Sequence, residues 1–150
     1  MECRDFTVGE SCMISFLLRA AKKDDSYISN FFAETRCSDM DDGGMGSLRF
    51  VPSGKVSSCI RKFGSEISSC HFTDEDGKLV SVALYADQSG YPFELDVWKV
   101  DFSPLVRIPN DDSEFVLDTA LQLGCIGRES EGNGLMITTS NEGVSLKDIP

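Results

Sequence analysis

Two neighbouring carboxylates have the spacing that paired acid–base catalysis requires. Glu94 and Asp96 lie two positions apart in an alternating segment, so both face one side of a strand and their carboxylates are about 7 Å apart. Such a pair could serve a small hydrolase as general acid and general base. The same spacing is typical of an acidic outer sheet surface, which we favour, and we expect no catalytic residue in this chain.

The single histidine does not form a catalytic pair with its neighbour. His71 directly follows Cys70 in a segment with strand character. Consecutive side chains of a strand point to opposite faces, so these two groups cannot act together as nucleophile and base.

Three aspartates, Asp39, Asp41 and Asp42, stand before a glycine-rich GGMG stretch. An EF-hand calcium loop that began at Asp39 would need a glutamate at its twelfth position, where the chain has Phe50. The GGMG stretch lacks the lysine and the glycine spacing of a phosphate-binding loop, and the aspartates would repel phosphate. We therefore predict a structural loop over Ser38–Gly46, with neither a metal nor a cofactor.

Two helices are predicted near the N-terminus. Apolar residues recur with helical spacing over Ser11–Lys23, with Gly9, Glu10 or Ser11 at the start of the helix and basic residues in its last turn. Asp24 or Asp25 can cap a second short helix, in which Tyr27 and Phe31 lie on one face.

Alternating segments in the middle of the chain predict a sheet. Glu66–Thr73, Leu79–Ala86 and Phe93–Phe102 are separated by short turns that end in glycine, which is typical of hairpins. In the third segment Phe93, Leu95 and Val97 face one way, and Glu94, Asp96 and Trp98 the other. We expect an antiparallel meander of three strands, extended by a strand at Ser47–Pro52.

The C-terminal third is predicted to add a helix over Ser113–Leu123, ended by Gly124, and an edge strand at Leu135–Thr139. Residues from about 140 onward are expected to be a loose tail. The sequence thus predicts one domain over residues 1–150. Its fold class is α+β, with an antiparallel sheet of three to five strands packed against N-terminal and C-terminal helices.

The charge of the chain restricts its partners. There are 25 acidic and 14 basic residues, which give a formal charge of −11. Nucleic acid and anionic membranes would be repelled, so we expect neither as a partner. A basic protein is the natural partner of such a surface, although acidity can also serve solubility alone.

Cysteine usage and the N-terminus favour a cytoplasmic protein. The N-terminal residues do not form a signal peptide, and no apolar stretch approaches the length of about 20 residues that spans a bilayer. The six cysteines include no CxxC pair, so a zinc site is not supported and free thiols are expected, with Cys70 and Cys125 in the core.

Two segments carry a resemblance to a known family. Met40–Phe50, with the motif DDGGMGSL, and Phe72–Pro109, with the motif ELDVWKVDFSPL, resemble a family of small bacterial proteins. Small acidic proteins of this kind look like immunity proteins of contact-dependent growth inhibition and other polymorphic toxin systems. The resemblance covers about a third of the chain and implies no catalytic residue.

The expected function is that of an immunity protein whose carboxylates bind a cognate toxin domain, expected to be a basic nuclease. The alternatives are a structural interaction domain, which could be a homodimer, and a small hydrolase that uses Glu94 and Asp96. The residues predicted to bind the partner are Asp39, Asp41, Asp42, Asp74, Glu75, Asp76, Glu94, Asp96 and Trp98.

Overall fold

The computed structural model describes residues 2–53 and 60–118. Residues 2–53 and 60–117 belong to one compact unit, Met1–Leu117. Within them, two helices cover one side of a six-stranded antiparallel sheet. The α+β class is therefore confirmed, whereas the expected range of three to five strands was too low.

Helix α1 spans Val8–Ala20 and begins earlier than its apolar pattern indicated. A capping box sets the start: Thr7 Oγ1 accepts a hydrogen bond from the Glu10 backbone N–H, and the Glu10 carboxylate accepts one from the Thr7 backbone N–H. The helix ends before Lys22, whose φ of 69° is left-handed.

Helix α2 spans Asp25–Glu34, as the aromatic pattern predicted. Asp24 is its N-cap, and its carboxylate accepts a hydrogen bond of 2.8 Å from the Tyr27 backbone N–H. Ile28 and Phe31 are buried on its inner face. None of the helices in the described part of the chain is long and apolar enough to cross a membrane.

The sheet has the strand order β1-β2-β5-β4-β3-β6. Its strands are β1 Thr35–Asp39, β2 Leu48–Pro52, β3 Phe63–Thr73, β4 Leu79–Asp87, β5 Pro92–Lys99 and β6 Val116–Leu117. The expected meander is β3-β4-β5, and β2 extends it by pairing with β5.

Strand β1 was not expected, because Ser38 and Asp39 were assigned to the loop that follows it. The aspartates and glycines of that segment indicated a loop. In the structure Thr35 and Cys37 face inward and Arg36 faces outward, as in a strand. The tertiary structure decides the matter, since β1 pairs with β2 along its whole length.

The C-terminal helix expected over Ser113–Leu123 is wrong for the part that the structure describes. Asp111 caps a 3-10 turn at Asp112–Glu114, and Val116–Leu117 then pairs with β3. Phe115 directs the chain there because its ring packs in the core against Phe16 and Phe72, with centroids 5.4 and 5.7 Å away. The rest of that helix, the strand predicted at 135–139 and the tail lie outside the described residues.

The core lies between the helices and one face of the sheet. Its members are apolar positions of α1, α2 and the inward-facing strand positions, together with Phe115. They are Met13, Ile14, Leu17, Leu18, Ile28, Phe31, Cys37, Leu48, Phe50, Cys70, Phe72, Val80, Val82, Leu84, Leu95, Val97 and Phe115. The opposite face of the sheet, called the open face below, is covered by neither α1 nor α2.

Candidate protein-interaction site

The open face carries three carboxylates around one tyrosine. Tyr85 on β4 pairs with Glu94 on β5 and with Glu66 on β3, and Asp96 follows two positions after Glu94. Paired residues of antiparallel strands share a face, so these four side chains project together. We call Glu66, Tyr85, Glu94 and Asp96 the acidic face; Glu66 was not among the residues predicted from sequence.

In addition to burial, the carboxylates of the acidic face raise the pKa of Tyr85. Burial is the main cause of the raised pKa of the Tyr85 phenol, and the negative charges of Glu66, Asp96 and Glu94 raise that pKa further. A phenolate beside three carboxylates is disfavoured because like charges repel. The acidic face is therefore a place where a positive group of a partner would be stabilised.

Ion pairing distinguishes the three carboxylates. Glu94 Oε1 accepts a hydrogen bond of 3.2 Å from Arg49 Nη2, so Glu94 is ion-paired within the domain. Within the described ranges, Glu66 and Asp96 form no ion pair, and both are exposed. The acidic face therefore combines one ion-paired carboxylate with two exposed ones.

A buried lysine organises the adjacent end of the sheet. Lys99, the last residue of β5, faces the core side and is completely buried. Its Nζ donates hydrogen bonds to Asp74 Oδ2 at 2.8 Å, to Asp76 Oδ2 at 2.6 Å and to the Pro104 carbonyl at 3.0 Å. We call Lys99, Asp74 and Asp76 the lysine triad. It joins the turn between β3 and β4 to the segment after β5.

Asp74, one of the residues predicted to bind the partner, is buried and holds the fold together. Its carboxylate also accepts hydrogen bonds from the backbone N–H groups of Glu75, Val106 and Arg107, at 2.7, 2.9 and 3.0 Å. Burial alone would raise its pKa, but these bonds and the one from Lys99 outweigh burial and lower the pKa to about 2.

Asp39 is neutralised by a neighbouring arginine. Arg4 Nη2 lies 2.7 Å from Asp39 Oδ1 and 2.8 Å from Glu10 Oε2, so one guanidinium holds two carboxylates. The hydrogen bond from Arg4 lowers the pKa of Asp39. An open pocket at this edge is lined by Glu2, Arg4, Ser38 and Asp39. Its positively charged side chain, Arg4, is already paired with Glu10 and Asp39.

Asp42 shapes the glycine-rich loop, and Asp41 beside it is exposed. The Asp42 carboxylate accepts hydrogen bonds from the backbone N–H groups of Met45 at 3.1 Å and Ser47 at 2.8 Å. Burial would raise the pKa of Asp42, but these bonds outweigh it and lower the pKa. The loop prediction is confirmed for its glycine-rich part.

The two segments that carry the family resemblance pack against each other. The Gly44 carbonyl accepts a hydrogen bond of 2.9 Å from the Leu105 backbone N–H. A Cβ on Gly44 would lie 3.3 Å from Pro104 Cβ, which is a tight contact. The φ of Gly44 is +81°, a conformation that favours glycine, so both the space and the backbone favour glycine here. The DDGGMGSL motif is therefore a structural support for the segment after β5.

Trp98 is exposed, and it has an aromatic partner. Its side chain is 41% exposed and contacts Phe102, which is 64% exposed, with ring centroids 5.8 Å apart at an angle of 71°. Beside them, the Val100 backbone N–H donates to the Leu79 carbonyl, and both of these side chains are exposed. We call Leu79, Trp98, Val100 and Phe102 the apolar patch.

A second buried ion pair was also missed from sequence. Arg61 Nε donates to Asp87 Oδ2 at 2.9 Å, and the guanidinium lies over the rings of Tyr91 and Phe93. Burial would raise the pKa of Asp87, but hydrogen bonds from Ser89 and Arg61 lower it to about 2. The burial of Lys99 could have been predicted from the sequence, since Lys99 continues the inward alternation of β5. No comparable sequence pattern indicates the burial of Arg61.

In the part of the chain that the structure describes, the cysteine and histidine residues do not gather into a metal site. His71 and Cys70 lie on opposite faces of β3, as predicted, with Cys70 in the core. Cys3, Cys12 and Cys37 are free thiols, while Cys59 and Cys125 lie outside the described residues. Across residues 2–53 and 60–118, no group of three His, Cys, Asp or Glu side chains could hold a metal ion.

Acidification is expected to destabilise the fold through Asp74 and Asp87. Their pKa values are about 2 in the folded protein, below the ordinary value of 3.8. Stability is therefore fully present above pH 4 and is lost as the pH falls from about 4 to about 2. Urea unfolding across this range should show the loss. In Asp87→Asn, the free energy of unfolding should depend less steeply on pH. An unchanged slope in that variant would contradict the prediction.

The fold and the site define an acidic α+β domain, with two N-terminal helices on one side of an antiparallel sheet and carboxylates on the other. The chain belongs to the family described as a domain of unknown function, DUF6984, whose model matches residues 3–109. The matched region contains the acidic face, the lysine triad and the apolar patch. No curated protein and no solved structure matches the sequence.

Proposed function

We propose that this domain is a cytoplasmic immunity protein that binds and neutralises one cognate toxin domain, a basic nuclease, through its acidic face. The observation that carries the proposal is the set of three carboxylates around Tyr85, two of them without an ion pair in the described ranges. The charge of −11 on the whole chain supports the same kind of partner.

Neutralisation follows from charge and position. A nuclease holds phosphates with lysine and arginine side chains, and carboxylates placed against them form charge-assisted hydrogen bonds. The bound domain would then exclude the nucleic acid from the cleft. The field of an acidic chain also steers a basic partner during encounter, so binding should be fast and sensitive to salt.

The interface in this proposal uses residues that a partner can reach. Asp74 is buried in the lysine triad and is left out, whereas Asp39 and Asp42 are at least partly exposed although each accepts hydrogen bonds within the domain. The exposed or partly exposed residues remain as candidates for the interface, and Glu66 joins them. They are Asp39, Asp41, Asp42, Glu66, Glu75, Asp76, Glu94, Asp96 and Trp98.

The test is a pull-down of the tagged domain with the protein encoded immediately upstream, together with a growth assay. The proposal requires a stoichiometric complex that weakens as salt rises, and cells that survive expression of the upstream product when the domain is co-expressed. A matched strain that expresses the domain with Glu66→Lys and Asp96→Lys, which reverses the two exposed carboxylates of the acidic face, controls for mere co-expression. The absence of both binding and protection would reject the proposal.

A further inference from the structure

The apolar patch is an exposed feature that charge pairing with a partner does not use. Trp98 and Phe102 contact each other, and Leu79 and Val100 extend the apolar surface beside them. Contiguous exposed apolar patches mark interaction sites, and tryptophan is among the residues enriched at the energetic centres of interfaces. Asp96 and Asp101 are exposed at the border of this patch.

The backbone at Phe102 is held in a conformation that a phenylalanine normally avoids. Its φ is 62°, in the left-handed region, which is unfavourable for residues with a large side chain. Its backbone N–H donates to the Lys99 carbonyl at 2.9 Å, and the Asp101 carboxylate accepts from the Ser103 backbone N–H and hydroxyl at 3.1 and 2.6 Å. The ring gains no core burial in return.

We propose that Trp98 and Phe102 form the anchor by which this domain docks on a basic protein partner. The two rings enter an apolar pocket of that partner, and lysine or arginine side chains at the rim of the pocket meet Asp96 and Asp101. The inference rests on the proposed function in one respect, namely that the partner is the cognate toxin domain.

Charge selects this occupant over a second copy of the same chain. Two copies docked through this patch would place Asp96 and Asp101 near the same residues of the partner, and each chain carries a charge of −11. Like charges brought together across an interface are unfavourable, and an anionic lipid surface would be repelled for the same reason. A basic surface with an apolar centre complements both the negative charge of Asp96 and Asp101 and the apolar rings of Trp98 and Phe102.

The lysine triad makes the anchor rigid before binding. Lys99 bonds to the turn before β4 and to the Pro104 carbonyl, so the residues on both sides of Phe102 are fixed to the body of the domain. An anchor that is already ordered loses little conformational entropy when it binds. Substitutions of the anchor should therefore act mainly on the dissociation rate.

The experiment measures binding of the upstream-encoded toxin domain, catalytically inactivated, to the intact chain and three variants. Trp98→Ala and Phe102→Gly should each weaken affinity by about 30-fold or more, as for anchor residues of an interface. Val8→Ala, which changes an exposed apolar residue of α1, should bind as the parent does. Trp98 is the chain's single tryptophan, so fluorotryptophan incorporated there should shift its fluorine resonance in the complex.

Stability measurements separate loss of the anchor from loss of the fold. Glycine tolerates a positive φ, so Phe102→Gly should keep or raise the melting temperature while binding falls. A lower melting temperature would contradict a strained turn. Variants that bind as tightly as the parent, with an unmoved fluorine resonance in a protective complex, would overturn the anchor and leave the immunity proposal standing. Absence of any complex would overturn both.

Discussion

Replacement of Asp74 by alanine is expected to lower the free energy of unfolding by about 3–5 kcal/mol, the range typical of removing one partner from a buried ion pair. The substitution leaves the Lys99 ammonium in the interior with Asp76 as its remaining carboxylate. It also removes the acceptor for the backbone N–H groups of Val106 and Arg107. Urea unfolding followed by circular dichroism measures the loss.

A neighbouring carboxylate in the same turn provides the control. Glu75 is exposed, and its nearest cation, Arg107 Nε, lies 3.6 Å away. Exposed ion pairs contribute little, so Glu75→Ala should change stability by no more than about 1 kcal/mol. Equal effects of the two substitutions would show that the lysine triad does not hold this end of the sheet together.

Reversal of charge at Glu66 and Asp96 together is expected to slow association with the toxin domain about 10- to 100-fold, a loss of the size that electrostatic steering provides. These are the two carboxylates of the acidic face that form no ion pair in the described ranges. With lysine at both positions, the association rate should also lose most of its dependence on salt. Stopped-flow mixing at low and high salt measures both quantities.

The matched control reverses two carboxylates on the helical layer. Asp25 and Glu34 are exposed on α2, and lysine at both positions changes the net charge of the chain by the same amount. That variant should associate at close to the parent rate, because the altered charges lie away from the acidic face. If both double variants slowed association equally, the total charge and not the acidic face would govern encounter.

The helices and the central meander were predictable because local patterns specify them. The apolar spacing of α1 and α2 and the alternation of β4 and β5 reflect burial of one face, and the glycine-containing turns limit where the hairpins close. The same alternation correctly placed Glu94, Asp96 and Trp98 on the face of β5 opposite to Leu95 and Val97. It did not reveal Glu66 as their neighbour, because that requires the register between β3 and β4.

Elements whose stability comes from distant contacts were missed. Strand β1 is short and polar, and it exists because it pairs with β2 and receives the Arg4–Cys37 bridge. The segment after Pro109 has helical composition, but the packing of Phe115 against Phe16 and Phe72 and the pairing of β6 with β3 outweigh that propensity.

The sequence by itself determined the acidity of the chain, its N-terminal helices and its hairpins, because composition and periodicity are properties of neighbouring residues. Only the tertiary structure decided what each carboxylate does. Asp74 meets Lys99 across 25 positions and Asp39 meets Arg4 across 35, so these two charges belong to the fold. Glu66 and Asp96 meet no such cation in the described ranges, and they remain exposed on the acidic face. Whether a charge stabilises the domain or is available to a partner depends on groups that only folding brings within a few ångströms.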